Sequence, residues 1–571
     1  MSFDVTVTIG GEAGQGIQTV GDLLGLVCHG AGLYVMAIND FESRIRGGHS
    51  FFQIRISDRP IQAPRRPVHL LVCMDAKTYD VHQHEVVVDG LILMDEEISS
   101  SAESAVRLPI TSLAKQAGGR IMANTVAAAA CLALLGAPFN LLEAVLKKQF
   151  EKKDAAVSAD NISAAKLGFQ AAADISFKFK IPGTFPAKSE GKLLTGARAF
   201  ALGAAAADCR FAAFYPMSPA TGIIQHLSEF TKDLNLVVEQ AEDEIAAINM
   251  IIGASFAGVR SLTATSGGGF SLMTEALGLA GITETPIVVV NAQRPGPATG
   301  MATRTGQGDL LFVIRAAPDE FPRFVFAPAT VEDAFEITRK AFELADKYQV
   351  PVIILSDQYL NDSVFVTAST FSIPTTVNRF IVTDADMDDP GSYERYALAS
   401  DGISPRALPC NGNALVMVSG NEHHPDGHSS EAISVRVSMV DKRNSKLAGM
   451  IKEMKPPRLY HENSDVLLVT WGSNAGAVIE AVDLLRSGGA DVGCAVFTDI
   501  WSFPADTAKE ILSRAKQFIT VENNSLAQFG QLIREQTGLL YAGAVLKYDG
   551  RPMFPEDIVE GFKKNNEVAH G

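Results

Sequence analysis

The sequence predicts an α/β protein of three successive units, and three observations carry that reading. A β-branched strand runs through a glycine-rich turn into a helical repeat at the N-terminus. Short apolar strands then alternate with helical patterns over residues 191–373, and the alternation returns after residue 458. In the first unit, residues 5–9 alternate as a strand and Gly10-Gly11-Glu12-Ala13-Gly14-Gln15-Gly16 makes the turn. Ile17, Val20, Leu23, Leu24 and Val27 follow with helical period. Further strands are expected at 51–56, 69–74 and 86–94, with Asn124 as N-cap of an Ala-rich helix ending near Gly136. These elements fill residues 1–175. Residues 176–190, with Pro, Gly and Lys and no sustained period, read as a linker over a surface.

The second unit, 191–373, offers strands at 211–214, 236–239, 261–265, 286–291 and 350–356 with helical patterns between them, the spacing of a parallel, doubly wound sheet. Residues 374–457, rich in Asp, Pro, Gly and His, read as an irregular connecting region. The third unit, 458–571, has strands at 465–471, 491–497 and 517–522 separated by helices, in a stretch of normal domain size.

Bulk properties exclude several classes. The 571 residues carry 49 Lys and Arg against 65 Asp and Glu, and the net charge of -16 disfavours a nucleic-acid binder. The six cysteines are scattered and form no Cys-x-x-Cys, so no zinc or iron–sulfur site is encoded locally, and they read as reduced packing residues of a cytoplasmic protein. No basic stretch precedes an apolar run at the N-terminus, and the most apolar helix, near 125–135, is well short of the ~20 residues of a membrane span. His423, His424 and His428 lack a fourth ligand and a helical spacing, and read as loop residues; no metal site is expected.

Chemistry-bearing residues gather at predicted strand ends, where open α/β sheets bind ligands. In Tyr215-Pro216-Met217-Ser218-Pro219-Ala220-Thr221 two prolines hold a hydroxyl in a shaped turn after an apolar strand. Of Glu239, Glu242, Asp243 and Glu244, the second and third suit a helix N-terminus. Glu244 is expected to be surrounded by Ile245, Ile248, Ile251 and Ile252, a setting for a proton-sharing carboxyl. Two more such turns are Thr263-Ala264-Thr265-Ser266-Gly267-Gly268-Gly269-Phe270 and the loop from Arg294 through Arg304 and Gln307 to Asp309. In the first unit, Gly11, Gly14 and Gly16 could approach an anion, but Thr19 occupies the third glycine position of a dinucleotide fingerprint. Arg44 and Arg46, before Gly47-Gly48, could grip a phosphate or serve as a hairpin or subunit contact.

In this order the motifs resemble the α subunit of thiamine-diphosphate-dependent 2-oxoacid:ferredoxin oxidoreductases, with the family's γ domain fused at the N-terminus. The glycine turn with Arg46-Gly47-Gly48 resembles the γ domain, a Rossmann-like unit. Tyr215 to Thr221, Glu244 with Gly253-Ala254, Thr263 to Phe270, and Arg294 to Gln307 resemble the thiamine-pyrimidine domain. Thr470-Trp471-Gly472-Ser473, Val521-Glu522-Asn523-Asn524 and Lys547-Tyr548-Asp549-Gly550-Arg551-Pro552 resemble a transketolase-C-like domain.

The resemblance implies CoA-dependent oxidative decarboxylation of a 2-oxoacid with reduction of ferredoxin, 2-oxoglutarate being the favoured substrate. It implies that Glu244 hydrogen-bonds the aminopyrimidine ring, that Tyr215, Pro216, Ser266 and Gly267 line the cofactor, and that Ser218, Arg294 and Arg304 bind substrate. The family's loop usually reads Tyr-Pro-Ile-Thr-Pro; here Met217 and Ser218 keep the hydroxyl but lose the methyl that fixes its rotamer. The sequence has no Gly-Asp-Gly followed by an asparagine, and no cysteine cluster. A β subunit is therefore expected to supply Mg2+, the diphosphate site and a [4Fe-4S] cluster, to dock ferredoxin, and to pair with this chain as (αβ)2. Gly14, Gly16, Arg44 and Arg46 are expected to seat coenzyme A. Other readings are a pyruvate or broad-specificity member of the family, a pyrimidine-binding component of another thiamine enzyme, an NAD-dependent dehydrogenase, and a non-catalytic binding module.

Overall fold

A computed structural model describes residues 3–43, 47–100, 102–182, 191–367, 371–373 and 376–570. Three sheets of mostly parallel strands, each covered by helices, give the α/β architecture. They fall into two compact units: 1–194 with 363–370 and 554–556, and 195–362 with 371–553 and 557–571.

In the first unit eight strands run edge to edge as Val106–Leu108, Val86–Asp95, Val68–Cys73, Asp4–Ala13, Gly47–Ser57, Tyr34–Asp40, Val364–Val366 and Leu193–Thr195. Asp4–Ala13 pairs parallel with Val68–Cys73 and antiparallel with Gly47–Ser57. Its odd-numbered apolar residues Val5, Val7 and Ile9 face a core shared with the helices Ile17–Gly30 and Ala123–Leu135. The strand carries on through Gly10 and Gly11, because Gly10 pairs with Phe51 and Gly11 with Ser50. The turn is therefore shorter than the glycine run suggested, and centres on Gly14 and Gly16, both at positive φ (91° and 76°) that only glycine adopts without strain.

Asn124 is not the N-cap of the Ala-rich helix. A 3-10 turn, Arg120–Met122, feeds directly into Ala123–Leu135, which leaves Asn124 inside the first turn with its side chain over Gly16. A Cβ on Gly16 would lie 1.9 Å from the Asn124 amide nitrogen. Phe177 and Ile181, in the stretch read as a surface linker, are buried in this unit's core.

In the second unit, seven strands run Asp499–Trp501, Phe324–Phe326, Pro351–Asp357, Ile287–Gln293, Ser261–Thr265, Phe211–Phe214 and Val237–Gln240. All their pairings are parallel except that of Asp499–Trp501. Parallel strands buried on both faces need apolar runs, and Ile287–Gln293 and Pro351–Asp357 are buried along their whole length. The last sheet runs Arg458–Tyr460, Val492–Phe497, Val466–Trp471, Gln517–Glu522 and Gly543–Leu546. One hydrophobic cluster spans both sheets, with Val289, Val325 and Ile353 of one and Val469, Trp471 and Phe497 of the other.

Within 374–457, read as irregular, the structure holds a 20-residue helix, Ile433–Lys452. Its buried face is Met439, Lys442, Arg443, Lys446 and Met450, so charge hides the helical period. Lys442 (2.6 Å) and Lys446 (2.5 Å) both bond the buried carboxylate of Glu284. Burial alone would raise Glu284, but the two ammonium groups outweigh it and hold the carboxyl below its usual range. Arg443 pairs bidentately with Glu422 at 3.0 and 2.8 Å. His423 is fully buried against Tyr396, their ring centroids 4.0 Å apart.

Candidate active site at the strand ends of the second unit

The helix Glu244–Phe256 starts after strand Val237–Gln240, with Asp243 as N-cap accepting the Ala246 N–H at 2.7 Å. Glu244 is thus the first helical residue. It is only 3% exposed, and its Oε1 is buried without a hydrogen-bond partner. Ile248, Ile251 and Ile252 lie in the adjoining core, but Ile245 is half exposed (50%) because the 100° step per residue turns it outward. Gly269 approaches the carboxyl from the short helix Gly267–Leu272, which stands where the sequence suggested a turn. A Cβ there would sit 2.1 Å from Thr265 Oγ1 and 2.6 Å from Glu244 Oε1.

The loop after Phe211–Phe214 lies alongside, with the Thr265 hydroxyl 3.8 Å from the Met217 sulfur. Tyr215 (39% exposed), Pro216 and Ser218 face outward, whereas Pro219 is buried and its carbonyl accepts from Asn361 Nδ2 at 3.1 Å. Arg294 Nη1 donates to the Ser218 carbonyl at 2.8 Å and its Nε is buried without a partner. Ser266 Oγ and Asn291 Oδ1 are also buried without partners. Gly267 lets Asp309 close in, since a Cβ there would meet its carboxyl oxygen at 2.4 Å. Burial raises the Asp309 carboxyl, against the Asn291 amide and the Arg294 charge, which lower it.

Tyr215, Pro216, Ser218, Glu244, Ser266, Gly267 and Arg294 therefore meet at one edge of the seven-stranded sheet. Arg304 lies on the loop that follows, 8% exposed and packed against Gly550, whose carbonyl accepts the Thr305 N–H at 3.2 Å. The three C-terminal motifs converge on this loop through Trp471, Asn523 and Gly550. The sequence reading gives no individual role to Gln307, Asp309, Asn291 or Asp357. Each ends or follows a strand at this same edge, the one signal that could have found them.

Gly14 and Gly16 belong to the other unit. A Cβ on Gly14 would meet nothing within 4 Å, and the same holds for Gly47, which pairs with Ala13 across the strands. Arg44 and Arg46 lie outside the described residues.

An unsatisfied buried carboxyl oxygen in an apolar wall is costly unless a ligand completes it. Here that oxygen and the unpartnered Ser266, Asn291 and Arg294 atoms fit an aminopyrimidine with an adjoining anionic substrate.

Three family models match the chain. "Pyruvate ferredoxin/flavodoxin oxidoreductase" covers residues 6–171, "Pyruvate flavodoxin/ferredoxin oxidoreductase, thiamine diP-bdg" covers 202–442, and "Pyruvate:ferredoxin oxidoreductase core domain II" covers 464–558. The 2-oxoacid:ferredoxin oxidoreductase subunit alpha of Saccharolobus solfataricus is 32% identical, the match covering 99% of each chain. The 2-oxoglutarate synthase subunit KorA of Methanothermobacter marburgensis is 30% identical over 65% of this chain and 98% of its own. The solved 2-oxoglutarate:ferredoxin oxidoreductase of Magnetococcus marinus, with 2-oxoglutarate, coenzyme A and succinyl-CoA bound, superposes with a TM-score of 0.90 at 30% identity, covering 99% of this chain and all of that one. With a thiamine-diphosphate-binding domain at its centre and α subunits as full-length relatives, the chain belongs to the 2-oxoacid:ferredoxin oxidoreductase family.

Proposed function

We propose that this chain is the α subunit of a 2-oxoglutarate:ferredoxin oxidoreductase, forming succinyl-CoA and CO2 from 2-oxoglutarate and coenzyme A, or running the reverse carboxylation. The observation that carries the reading is the unpartnered Glu244 oxygen, held against Gly269 beside Thr265, whose hydroxyl meets Met217 of the loop that carries Ser218. Likeness to a solved enzyme that holds 2-oxoglutarate and coenzyme A supports the choice of substrate.

Bound thiamine diphosphate would supply the nucleophilic carbon and the electron sink. Glu244 would hydrogen-bond the aminopyrimidine ring and hold the proton shared with it, its apolar wall keeping water from competing. Gly269 leaves the ring room to reach the carboxyl. Ser266 and Gly267 would line the ring's edge, with Tyr215 and Pro216 shaping the mouth. Arg294, anchored through Nη1 on the Ser218 carbonyl, would present its guanidinium to a substrate carboxylate, and Arg304 would take the second carboxylate of a dicarboxylic substrate. The exposed Ser218 hydroxyl can reach that substrate from the facing loop.

A β subunit would contribute Mg2+, the diphosphate site and the [4Fe-4S] cluster, since the six cysteines here are scattered, unpaired and, apart from Cys410, buried. Ferredoxin would dock there, and the pair would assemble as (αβ)2. In the N-terminal unit, Gly14, Gly16, Arg44 and Arg46 would seat the phosphates of coenzyme A, the open Gly14 giving backbone approach and the arginines charge. No helix among the described residues is long and apolar enough to cross a membrane. Unpaired cysteines suit the cytoplasm.

A substrate panel tests the reading. The αβ complex, given coenzyme A and a low-potential dye, should turn over 2-oxoglutarate with the highest kcat/KM. Preference for pyruvate or 2-oxobutyrate by tenfold or more would overturn the substrate assignment.

A further inference from the structure

The segment from Met301 to Asp309 has no helix or strand, yet Thr303, Arg304, Thr305 and Gln307 along it are buried. Two polar clamps hold it. The first is Gln307, whose side chain and backbone lock onto strand ends of the C-terminal sheet. Its Nε2 donates to the Trp471 carbonyl at 3.0 Å, and its Oε1 accepts from Asn474 Nδ2 at 2.7 Å and from the Asn523 N–H at 3.0 Å. Its N–H donates to the Asn523 carbonyl at 2.8 Å and its carbonyl accepts from Asn524 Nδ2 at 3.2 Å.

The second clamp is Asp357, the buried last residue of strand Pro351–Asp357. It accepts from the Leu360 N–H at 2.9 Å and from the Ser473 hydroxyl, and its carboxyl lies beside the Thr305 hydroxyl, which accepts the Tyr359 N–H at 3.3 Å. Arg304 directly precedes the anchored Thr305, and Gly550 of the C-terminal part closes over it, where a Cβ would stand 3.1 Å from Arg304 Cβ.

We propose that Gln307 and Asp357 are positioning residues of the oxoacid subsite, tying the Arg304 loop to the strand ends of the C-terminal sheet so that this sheet acts as the template for the guanidinium. The inference rests on the reading that Arg304 binds a substrate carboxylate. A loop arginine without such support would sample many rotamers, and a displacement of about 1 Å at a binding group can cost on the order of 10²-fold.

The test uses the αβ complex carrying Gln307→Glu, Asp357→Asn or Thr305→Val, each nearly isosteric, with kcat and KM read separately for 2-oxoglutarate and coenzyme A. Each variant should raise the oxoacid KM roughly tenfold, the effect expected when one charge-assisted hydrogen bond to the substrate is weakened, while kcat falls less than about threefold and the coenzyme A KM stays put. Thr305→Ser, which keeps the hydroxyl, should restore the wild-type KM. An unchanged oxoacid KM in Thr305→Val, accompanied only by a lower melting temperature, overturns the proposal and leaves a structural strut. Arg304→Met separates the two readings: if it too leaves the oxoacid KM at the wild-type value, the assignment of Arg304 falls; if it raises KM and the clamp variants do not, the clamp alone falls.

Discussion

Replacing Glu244 by alanine should separate catalysis from stability. In the free chain the side chain holds an unpartnered buried oxygen, which costs ~1–3 kcal/mol, while the one buried methylene that the truncation removes, Cγ, contributes about 0.8 kcal/mol. The two oppose each other, so the net change in folding stability should lie within about 2 kcal/mol of zero. Activity should behave differently. A proton-sharing group contributes ~10²–10⁴-fold, or about 2.7–5.5 kcal/mol of barrier. The assay pairs thermal unfolding of the variant chain and its association with the β subunit against dye reduction by the reconstituted complex at saturating thiamine diphosphate. More than half of wild-type turnover in the variant, or a stability loss as large as the activity loss, would refute the reasoning.

Gly269→Ala should reproduce the Glu244 defect with that carboxylate still in place, because the added methyl would press on Thr265 Oγ1 and Glu244 Oε1; normal turnover in that variant would show that the approach is loose. Arg294→Met and Arg304→Met should each raise the 2-oxoglutarate KM, by ~1.5–3 kcal/mol in binding terms, and the one that serves the distal carboxylate should spare 2-oxobutyrate; equal effects on both substrates in both variants count against a distal-carboxylate site. Burial pushes the Asp357 carboxyl up to about 6 from 3.8, so the folded state binds its proton more tightly than the unfolded state does. The stability it contributes is complete below about pH 4 and lost as pH rises through about 6, a change of up to about 3 kcal/mol that Asp357→Asn should abolish in urea titrations; the same pH slope in both proteins would contradict it. Arg46→Ala should raise the coenzyme A KM and leave CoA-independent CO2 exchange intact, whereas an unchanged coenzyme A dependence in it and in Arg44→Ala rejects that role.

The burial of Glu244 was legible in the sequence because isoleucines follow it at helical spacing, although an acidic residue at a helix N-terminus is ordinary, and the strand-end loops were legible because glycine, proline and hydroxyl residues interrupt apolar runs. The supporting residues were not. Gln307 and Asp357 look like ordinary loop and strand-end polar residues until Trp471, Ser473 and Asn523 are brought to them from more than a hundred positions away. The helix Ile433–Lys452 was hidden for a related reason: its inward face sets Lys442, Arg443 and Lys446, whose partners Glu284 and Glu422 lie outside it, between Met439 and Met450, while Ile433 and Val437 are exposed, so the apolar residues do not mark the buried stripe. Asn124 illustrates a local signal overruled, since a preceding 3-10 turn and the proximity of Gly16 decide its place rather than its capping preference. The glycine run at Gly10 and Gly11 was likewise drawn into the sheet by its partners Phe51 and Ser50.

The most direct test mixes this chain with its β partner and follows succinyl-CoA formation from 2-oxoglutarate and coenzyme A, with ferredoxin as acceptor, against each subunit alone. The account predicts no turnover by either subunit, turnover on mixing, and its loss when Glu244→Ala replaces the wild-type chain. Turnover by this chain alone, or a reconstituted complex inert towards every 2-oxoacid, would contradict it.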